Sequence, residues 1–194
     1  GKILLDNEEV TYAKPEVRAQ KGLFLSFQYP AEISGVTISS FLRTAANSLR
    51  EKKGLAPYSV VDFHRLLKEK MAELNIDVSF CKRYLNQGFS GGEKKRMEML
   101  QMLMLGPKYA MMDETDSGLD IDAIKTVADG IEKIRRESDA SIIVITHYNR
   151  FLQHLKPDAV SVLHDGKIVK TGGYEVAQQI EKQGFDEIIK NGDN

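Results

Sequence analysis

The fold that we expect follows from residues 89–122 of the sequence, FSGGEKKRMEMLQMLMLGPKYAMMDETDSGLDID. Ser90 and Glu93 form a capping-box pattern that predicts the start of a helix, and the apolar run behind them has helical length. The sequence YAMMD at 109–113 predicts a strand, and a second helix is expected over 122–137. Helix, strand and helix in succession are typical of a parallel sheet with helices on its faces, so we predict an α/β fold.

The flanking sequence extends this pattern on both sides. Apolar residues at spacings of three and four predict helices over 38–53 and 59–74, so residues 29–87 are expected to form a mostly helical block. Outside the block, strands and hairpins alternate with helices. In chain order these elements are a hairpin over 2–12, a helix over 15–21, a buried strand over 23–27, a strand over 141–146, a helix over 149–155, a hairpin over 159–171, and helices over 174–183 and 185–190.

This order of elements predicts three parts. Residues 1–28 and 88–173 are expected to form an α/β core, which the helical subdomain at 29–87 interrupts. A C-terminal helical segment over 174–194 is expected to follow the core.

The composition excludes several classes of protein. Of the 194 residues, 42% are hydrophobic and 28% are charged, which is ordinary for a globular chain and excludes a disordered one. With 27 basic and 28 acidic residues the net charge is -1, so a general electrostatic grip on nucleic acid is not expected. No apolar run reaches the roughly 18 residues of a membrane span, and the N-terminal residues show no secretory signal. The single Cys81 indicates a reducing, cytoplasmic compartment.

Gly91 and Gly92 follow Ser90 in the first turn of a predicted helix, where a capping box alone does not need them. Each glycine costs a helix about 1 kcal/mol relative to alanine, so two in succession indicate that a ligand approaches the backbone closely. A helix N-terminus presents unpaired N–H groups and the positive end of the helix dipole, which together bind anions. We therefore expect the segment from Ser90 to Glu93 to bind a phosphate. The basic run Lys94–Arg96 adds positive charge there, although such runs are usually solvated helix faces.

Four further candidates follow predicted strands. Asp113 and Glu114 end the strand YAMMD, and the carboxyl edge of a parallel sheet is where α/β proteins bind ligands. Asp113 is expected to hold Mg²⁺, usually through water, and Glu114 to act as general base on an attacking water. Gln28 follows the first strand of the core, where its amide can orient water or bind Mg²⁺. His147 follows a later strand, where it can contact a terminal phosphate.

These motifs resemble, in their order, those of the ATP-binding-cassette ATPases. In chain order the matching positions are Gln28 in the Q-loop, Phe89–Glu93 in the signature, Asp113 and Glu114 at the end of Walker B, Ser117–Asp120 in the D-loop and His147 in the switch. The resemblance implies a P-loop-type nucleotide-binding core with an inserted helical subdomain, ATP as substrate and Mg²⁺ as cofactor. It also places Asp120, which can cap the following helix, at the nucleotide.

Within that family, five stretches resemble the SufC branch, the ATPase subunits of the Suf iron–sulfur cluster assembly system. They are FLSFQYP, EISGVT, GFSGGEKKR, DETDSGLDIDA and ITHYNR. Transporter ATPases tend to have glutamine where this chain has Glu93. The resemblance implies a cytoplasmic ATPase that dimerises with ATP and works with SufB- and SufD-like scaffold proteins. It implies no nucleic acid and no direct insertion into a membrane.

One motif of the family is absent from the sequence. A phosphate-binding loop needs G-x-x-x-x-G-K-[ST], but the two Gly-Lys pairs, Gly1-Lys2 and Gly166-Lys167, are each followed by isoleucine. By resemblance, residue 1 falls just after the region that would carry this loop. In the family each ATP lies between the P-loop of one subunit and the signature of the other, so we expect these residues alone to be inactive.

The sequence leaves three functions open. The first is a Suf-type ATPase whose dimerisation reshapes a scaffold. The second is a non-catalytic fragment that supplies only the signature half-site to a partner that has a P-loop. The third is an ATPase with another output, such as the ATP-binding subunit of a transporter or a chromosome or repair ATPase, although the long heptad repeats of a repair ATPase are missing.

Overall fold

The protein is described by a computed structural model that covers residues 1–192. Within these residues the strands are β1 (Leu4–Leu5), β2 (Glu8–Glu9), β3 (Leu23–Ser26), β4 (Ile33–Thr37), β5 (Tyr84–Leu85), β6 (Tyr109–Asp113), β7 (Ser141–Ile145), β8 (Val160–His164) and β9 (Lys167–Gly172). The helices are α1 (Pro15–Gln20), α2 (Ile38–Lys52), α3 (Val60–Glu73), α4 (Gly91–Leu105), α5 (Ile121–Ser138), α6 (Asn149–Leu155), α7 (Tyr174–Gln183) and α8 (Phe185–Gly192), with a 3-10 helix at Val78–Lys82. Every helix predicted from the sequence is confirmed. Among the helices at 1–192, none combines the length and the apolar character that crossing a bilayer requires.

The chain divides into two compact units. The first, Gly1–Ile145, contains β1–β7 and α1–α5. The second comprises the described residues from Thr146 onward, with α6, the hairpin of β8 and β9, and α7 and α8. The boundaries predicted for an ATPase core, a helical subdomain and a C-terminal segment stay predictions.

A parallel sheet with the strand order β3–β6–β7 organises the first unit. Ala110 and Met112 of β6 are almost completely buried on one of its faces. On the other face Leu25, Met111 and Ile143 lie in register across the three strands, and these side chains are 40–58% exposed. Side chains alternate between the two faces of a strand. The strand at 23–27 was predicted to be buried, and this prediction is wrong for the face of the sheet that carries Leu25.

The helices α2, α3 and α4 pack on one another and provide a large part of the apolar core of the first unit. Ser59 caps α3, as predicted, because its hydroxyl accepts a hydrogen bond of 3.1 Å from the Asp62 N–H. Phe63, Leu67 and Met71 repeat at helical spacing along the buried side of α3. An antiparallel pair, β4 with β5, joins the two ends of the helical block, and this ladder was not predicted from the sequence.

The second unit is built on the predicted hairpin of β8 and β9. Asp165 and Gly166 form its turn with φ angles of 46° and 74°. Two successive left-handed residues are what a two-residue turn of type I′ needs, and Asp-Gly is a preferred pair for it. Buried side chains from the hairpin, α7 and α8 form one apolar cluster. They are Val162, Val176, Ile180 and Ile188.

Substituting alanine at two glycines of the first unit is expected to change the free energy of unfolding in opposite directions. Gly130 lies inside α5, and an added Cβ would meet Met99 Cγ at 3.5 Å and Leu74 Cδ2 at 3.6 Å, which are ordinary contacts. Since alanine also loses less backbone entropy in a helix, Gly130→Ala is expected to raise the free energy of unfolding by about 0.5–1 kcal/mol. Gly22 has a φ of +92°, and its added Cβ would lie 2.9 Å from Lys108 Cβ, so Gly22→Ala is expected to lower it.

Urea unfolding of the parent and both variants measures these changes. A Gly130→Ala variant less stable than the parent would contradict the packing between α4 and α5. An undiminished stability of Gly22→Ala would contradict the close approach of β3 to the start of β6.

Candidate active site

The carboxyl ends of β3 and β6 bring two predicted site residues together. Ser26 is paired with Met112 in the parallel ladder, so Gln28 and Glu114 each lie two residues beyond the same rung. The Gln28 side-chain amide donates a hydrogen bond to the Glu114 carboxylate. Both side chains are partly exposed, so a ligand can reach them. An amide donor fixes the orientation of a carboxylate, as a general base requires.

The backbone at Glu114 is held in an unusual conformation. Its φ is 43°, in the left-handed region that costs a residue with a side chain about 1–2 kcal/mol. Its N–H donates to the Ile145 carbonyl at 2.9 Å, and the next residue, Thr115, is fully buried with its hydroxyl 3.4 Å from that of Ser26. Such strain persists only where the surroundings enforce it, and it clusters at functional sites.

Asp113 ends β6, and its side chain is partly buried. Within the described part of the chain, no three His, Cys, Asp or Glu side chains are grouped closely enough to hold a metal ion by themselves. Mg²⁺ at a nucleotide needs only one or two protein groups, because phosphates and water supply its other ligands. Asp113 and Gln28, at the same edge of the sheet, fit that requirement, and their assignment to Mg²⁺ stays a prediction.

The predicted capping box at the start of α4 is confirmed. The Ser90 hydroxyl accepts a hydrogen bond of 3.3 Å from the Glu93 N–H, and the Glu93 carboxylate accepts one of 2.7 Å from the Ser90 N–H. Apart from its chain neighbours and the backbone of its own helix, an added Cβ at Gly91 would meet no atom of the described residues within 4 Å, and one at Gly92 would meet only Ala123 Cβ, at 3.9 Å. Neither glycine has a positive φ. The packing of the described residues therefore gives no reason for glycine at either position.

A stack of one cation on two aromatic rings fixes the loop that leads into α4. The Arg83 guanidinium lies 4.4 Å from the ring centre of Phe80 and 4.2 Å from that of Phe89. The two rings meet edge to face at 5.2 Å. Arg83 also lies 3.8 Å from a Glu93 oxygen, so the stack is joined to the capping box. It was not predicted from the sequence.

Two further candidates lie at the starts of helices. Asp120 caps α5, as predicted, because its carboxylate accepts a hydrogen bond of 2.8 Å from the Ala123 N–H. His147 belongs to the second unit, where it is exposed and its ring centre lies 4.1 Å from that of Tyr148. The nucleotide-binding role of Asp120 and the phosphate contact of His147 stay predictions.

The clearest departure from expectation is a buried ion pair on α4. Lys95, in the basic run expected to be a solvated helix face, is only 4% exposed, and Glu98 is 3% exposed. Their charged groups lie 3.1 Å apart. Burial raises the pKa of Glu98, against the opposing effects of the Lys95 ammonium and of hydrogen bonds from Ser26 and the Phe27 N–H. A basic and an acidic residue three apart, the latter inside an apolar run, is the sequence signal that indicates such a pair.

Comparison with known proteins agrees with this architecture. An ATP-binding subunit of an ABC transporter superposes with a TM-score of 0.72 at 21% identity, covering 100% of this chain and 77% of that one. A dimeric ATP-binding cassette in a post-hydrolysis state, bound to ADP and Pi, superposes with a TM-score of 0.70 at 19% identity, covering 89% and 73%. No protein-family model matches the chain.

The family is identified by the sequence identity of this chain to curated relatives. The probable ATP-dependent transporter ycf16 of Cyanophora paradoxa is 47% identical over 186 residues, which are 96% of this chain and 71% of that protein. The probable ATP-dependent transporter SufC of Escherichia coli is 45% identical over 185 residues, which are 95% and 74%. The chain therefore belongs to the ATP-binding-cassette ATPases. Within that family it is SufC-like.

The capping box at Ser90 makes a pH-dependent contribution to folding. Hydrogen bonding from the Ser90 N–H lowers the pKa of Glu93 below its ordinary value of 4.5. Because the pKa is lower in the folded state, this contribution is complete above the ordinary pKa and is lost as the pH falls through the folded value. Glu93→Gln is therefore expected to reduce the fall in Tm between neutral pH and about pH 3.

Thermal unfolding followed by circular dichroism at several pH values measures this effect. Glu51→Gln, at an exposed glutamate near the end of α2, is the matched control and is expected to leave the slope of Tm against pH as it is in the parent. Parallel curves for Glu93→Gln and the parent would show that the carboxylate does not support the cap.

Proposed function

We propose that the chain is the ATPase subunit of a Suf-type iron–sulfur cluster assembly machinery and that it hydrolyses MgATP at a dimer interface. The observation that carries the hydrolytic role is the hydrogen bond from Gln28 to Glu114 at the carboxyl edge of the parallel sheet. The Suf assignment is supported by the 45% identity to SufC of Escherichia coli and by glutamate at position 93.

The chemistry follows from the edge of the sheet. The Glu114 carboxylate accepts a proton from a water whose oxygen attacks the γ-phosphorus, and ADP leaves. Gln28 keeps that carboxylate turned toward the water. Asp113 would hold Mg²⁺, which would neutralise charge on the phosphates. His147 contacts the terminal phosphate.

The start of α4 contributes to the nucleotide of a second subunit. Ser90 and Glu93 cap the helix, and the open space over Gly91 and Gly92 admits phosphate oxygens to the backbone N–H groups. Asp120 lies in the D-loop beside this clamp. The 194 residues contain no G-x-x-x-x-G-K-[ST] motif, so in our proposal other polypeptide supplies that loop and these residues alone turn over ATP very slowly.

The proposed output is a conformational change in a scaffold of SufB- and SufD-like proteins in the cytoplasm. Closure of two ATPase subunits on ATP brings their scaffold-bound surfaces together, and hydrolysis releases them. The dimeric form of a structurally similar cassette supports such a cycle.

The base assignment is tested with Glu114→Gln in the complete subunit, meaning this chain joined to a phosphate-binding loop. Because glutamine cannot accept the proton, kcat is expected to fall by roughly 10²- to 10⁴-fold. The unreacted ATP is expected to hold the subunits together, so that a dimer persists in size-exclusion chromatography with MgATP. Glu16→Gln, at an exposed glutamate of α1, is the matched control. Hydrolysis by Glu114→Gln at the parental rate would refute the assignment.

The partner assignment needs a separate experiment. The complete subunit, mixed with purified SufB- and SufD-like proteins from the same source, is expected to elute with them as one complex. The contrary outcome is that the subunit co-purifies from detergent extracts with an integral membrane permease and does not bind the scaffold proteins. In that case the Suf assignment fails and the transporter alternative replaces it. The hydrolytic role of Glu114 is unaffected by that outcome.

A further inference from the structure

The buried pair on α4 contacts the chain at the end of β3. Lys95 Nζ donates to the Phe27 carbonyl at 2.8 Å, to the Gln28 carbonyl at 3.4 Å and to Glu98 Oε2 at 3.1 Å. The other oxygen of Glu98 accepts a hydrogen bond of 3.0 Å from the Phe27 N–H. An ammonium has three protons to donate, and Lys95 uses all three on these acceptors.

A buried ion pair such as this one contributes little to the free energy of unfolding. Two charges withdrawn from water lose their hydration, and replacement of a buried ion pair by apolar residues of similar size is often neutral or stabilising. Lys95 and Glu98 lie in a helix whose neighbouring residues, Met97 and Met99, are already core. Packing alone would therefore be satisfied by two more apolar side chains, but these could not bond the backbone of Phe27 and Gln28.

The geometry instead relates the pair to the candidate active site. The parallel ladder ends at Ser26, so the next residues have no strand to hold their backbone. The pair replaces that strand, because it bonds the N–H and the carbonyl of Phe27 and the carbonyl of Gln28. The side chain of Gln28 in turn bonds Glu114. An unbroken series of hydrogen bonds thus runs from α4 to the proposed base.

We propose that Lys95 and Glu98 form a positioning pair, which fixes the backbone of Phe27 and Gln28 so that the Gln28 amide remains on the Glu114 carboxylate. The pair touches no substrate and acts through Gln28. Because Lys95 and Glu98 follow Ser90 by about one and a half and two turns of the same helix, one rigid helix carries both the contact to the partner's nucleotide and the support of the chain's own base. The proposal rests on the proposed ATPase function.

The test replaces both charges at once, with Lys95→Met and Glu98→Leu, so that neither is left buried alone. In the complete subunit this double variant is expected to keep the parental KM for ATP and to lose about tenfold or more in kcat. The control is Lys70→Met with Glu73→Leu, which removes a pair with the same spacing and the same 3.1 Å separation on α3, together with its ion pairs to Glu137 and Lys133. The control is expected to retain the parental kcat.

A double-mutant cycle separates positioning from general damage. If the pair acts through Gln28, the two substitutions are expected to cost nothing further in kcat when Gln28→Ala is already present. The same fold-loss in both backgrounds overturns the proposal. Undiminished kcat of the folded double variant overturns it as well.

Hydrogen exchange gives a readout that does not depend on ATP hydrolysis. The Phe27 amide of the double variant is expected to exchange faster than in the parent, while amides of β6 keep their parental rates. Unchanged exchange at Phe27 overturns the positioning role even if activity falls.

If the double variant does not fold, Glu98→Gln is measured in the same assays. Because this variant retains an oxygen for the Phe27 N–H, its kcat is expected to fall by less than the loss of about tenfold expected of the double variant. The proposed function and the contact can fail separately. If the double variant shows faster exchange at Phe27 but Glu114→Gln leaves the hydrolysis rate of the complete subunit unchanged, the proposed function is refuted and the contact of the pair with Phe27 is not.

Discussion

The parallel pairing of β3 with β6 is the constraint on which the site depends. It sets Ser26 opposite Met112, and because a parallel register repeats along both strands, it carries Gln28 to Glu114 across more than eighty residues of intervening sequence. The register is fixed where the ladder begins, since the Gly22 carbonyl accepts from the N–H groups of both Lys108 and Tyr109 at 2.9 Å. A slip of one residue would turn every side chain of β3 to the other face.

The helix α4 shows how packing and function share one element. Five of its fifteen residues are apolar and buried, and its capping box satisfies backbone groups at its start without help from another chain. Lys95 and Glu98 break this pattern where the helix meets irregular backbone beyond the end of β3. Apolar side chains could fill that space but could not bond an N–H and two carbonyls, and unpaired buried backbone groups are costly. Charge is tolerated there because the backbone needs partners.

Sequence patterns predicted those features whose causes are local. Helical periodicity, the caps at Ser59 and Asp120, and the Asp-Gly turn of the second hairpin each act within a few residues, and all were confirmed. The ladder of β4 with β5 was missed because β5 has two residues and shows no alternation. The burial of Lys95 was missed because its partners at Phe27 and Gln28 are 68 and 67 residues away. The open face of the sheet was missed because a short apolar strand looks the same whether one or both of its faces are covered.

Glycines within helices can be sorted by whether the packing around them accounts for a small residue. Gly130 in α5 lies close enough to Met99 and Leu74 that alanine would make ordinary contacts there but a larger side chain would have to displace them, so packing accounts for a small residue, though not for glycine itself. Gly91 and Gly92 in α4 have open space or a single distant contact, so nothing within the described residues accounts for them. Both weaken the helix that they begin. Sequences that break a local rule without gain in packing tend to do so at functional sites. In the proposed function this cost is offset by a phosphate from outside the chain, which would bind the bare N–H groups at the start of α4.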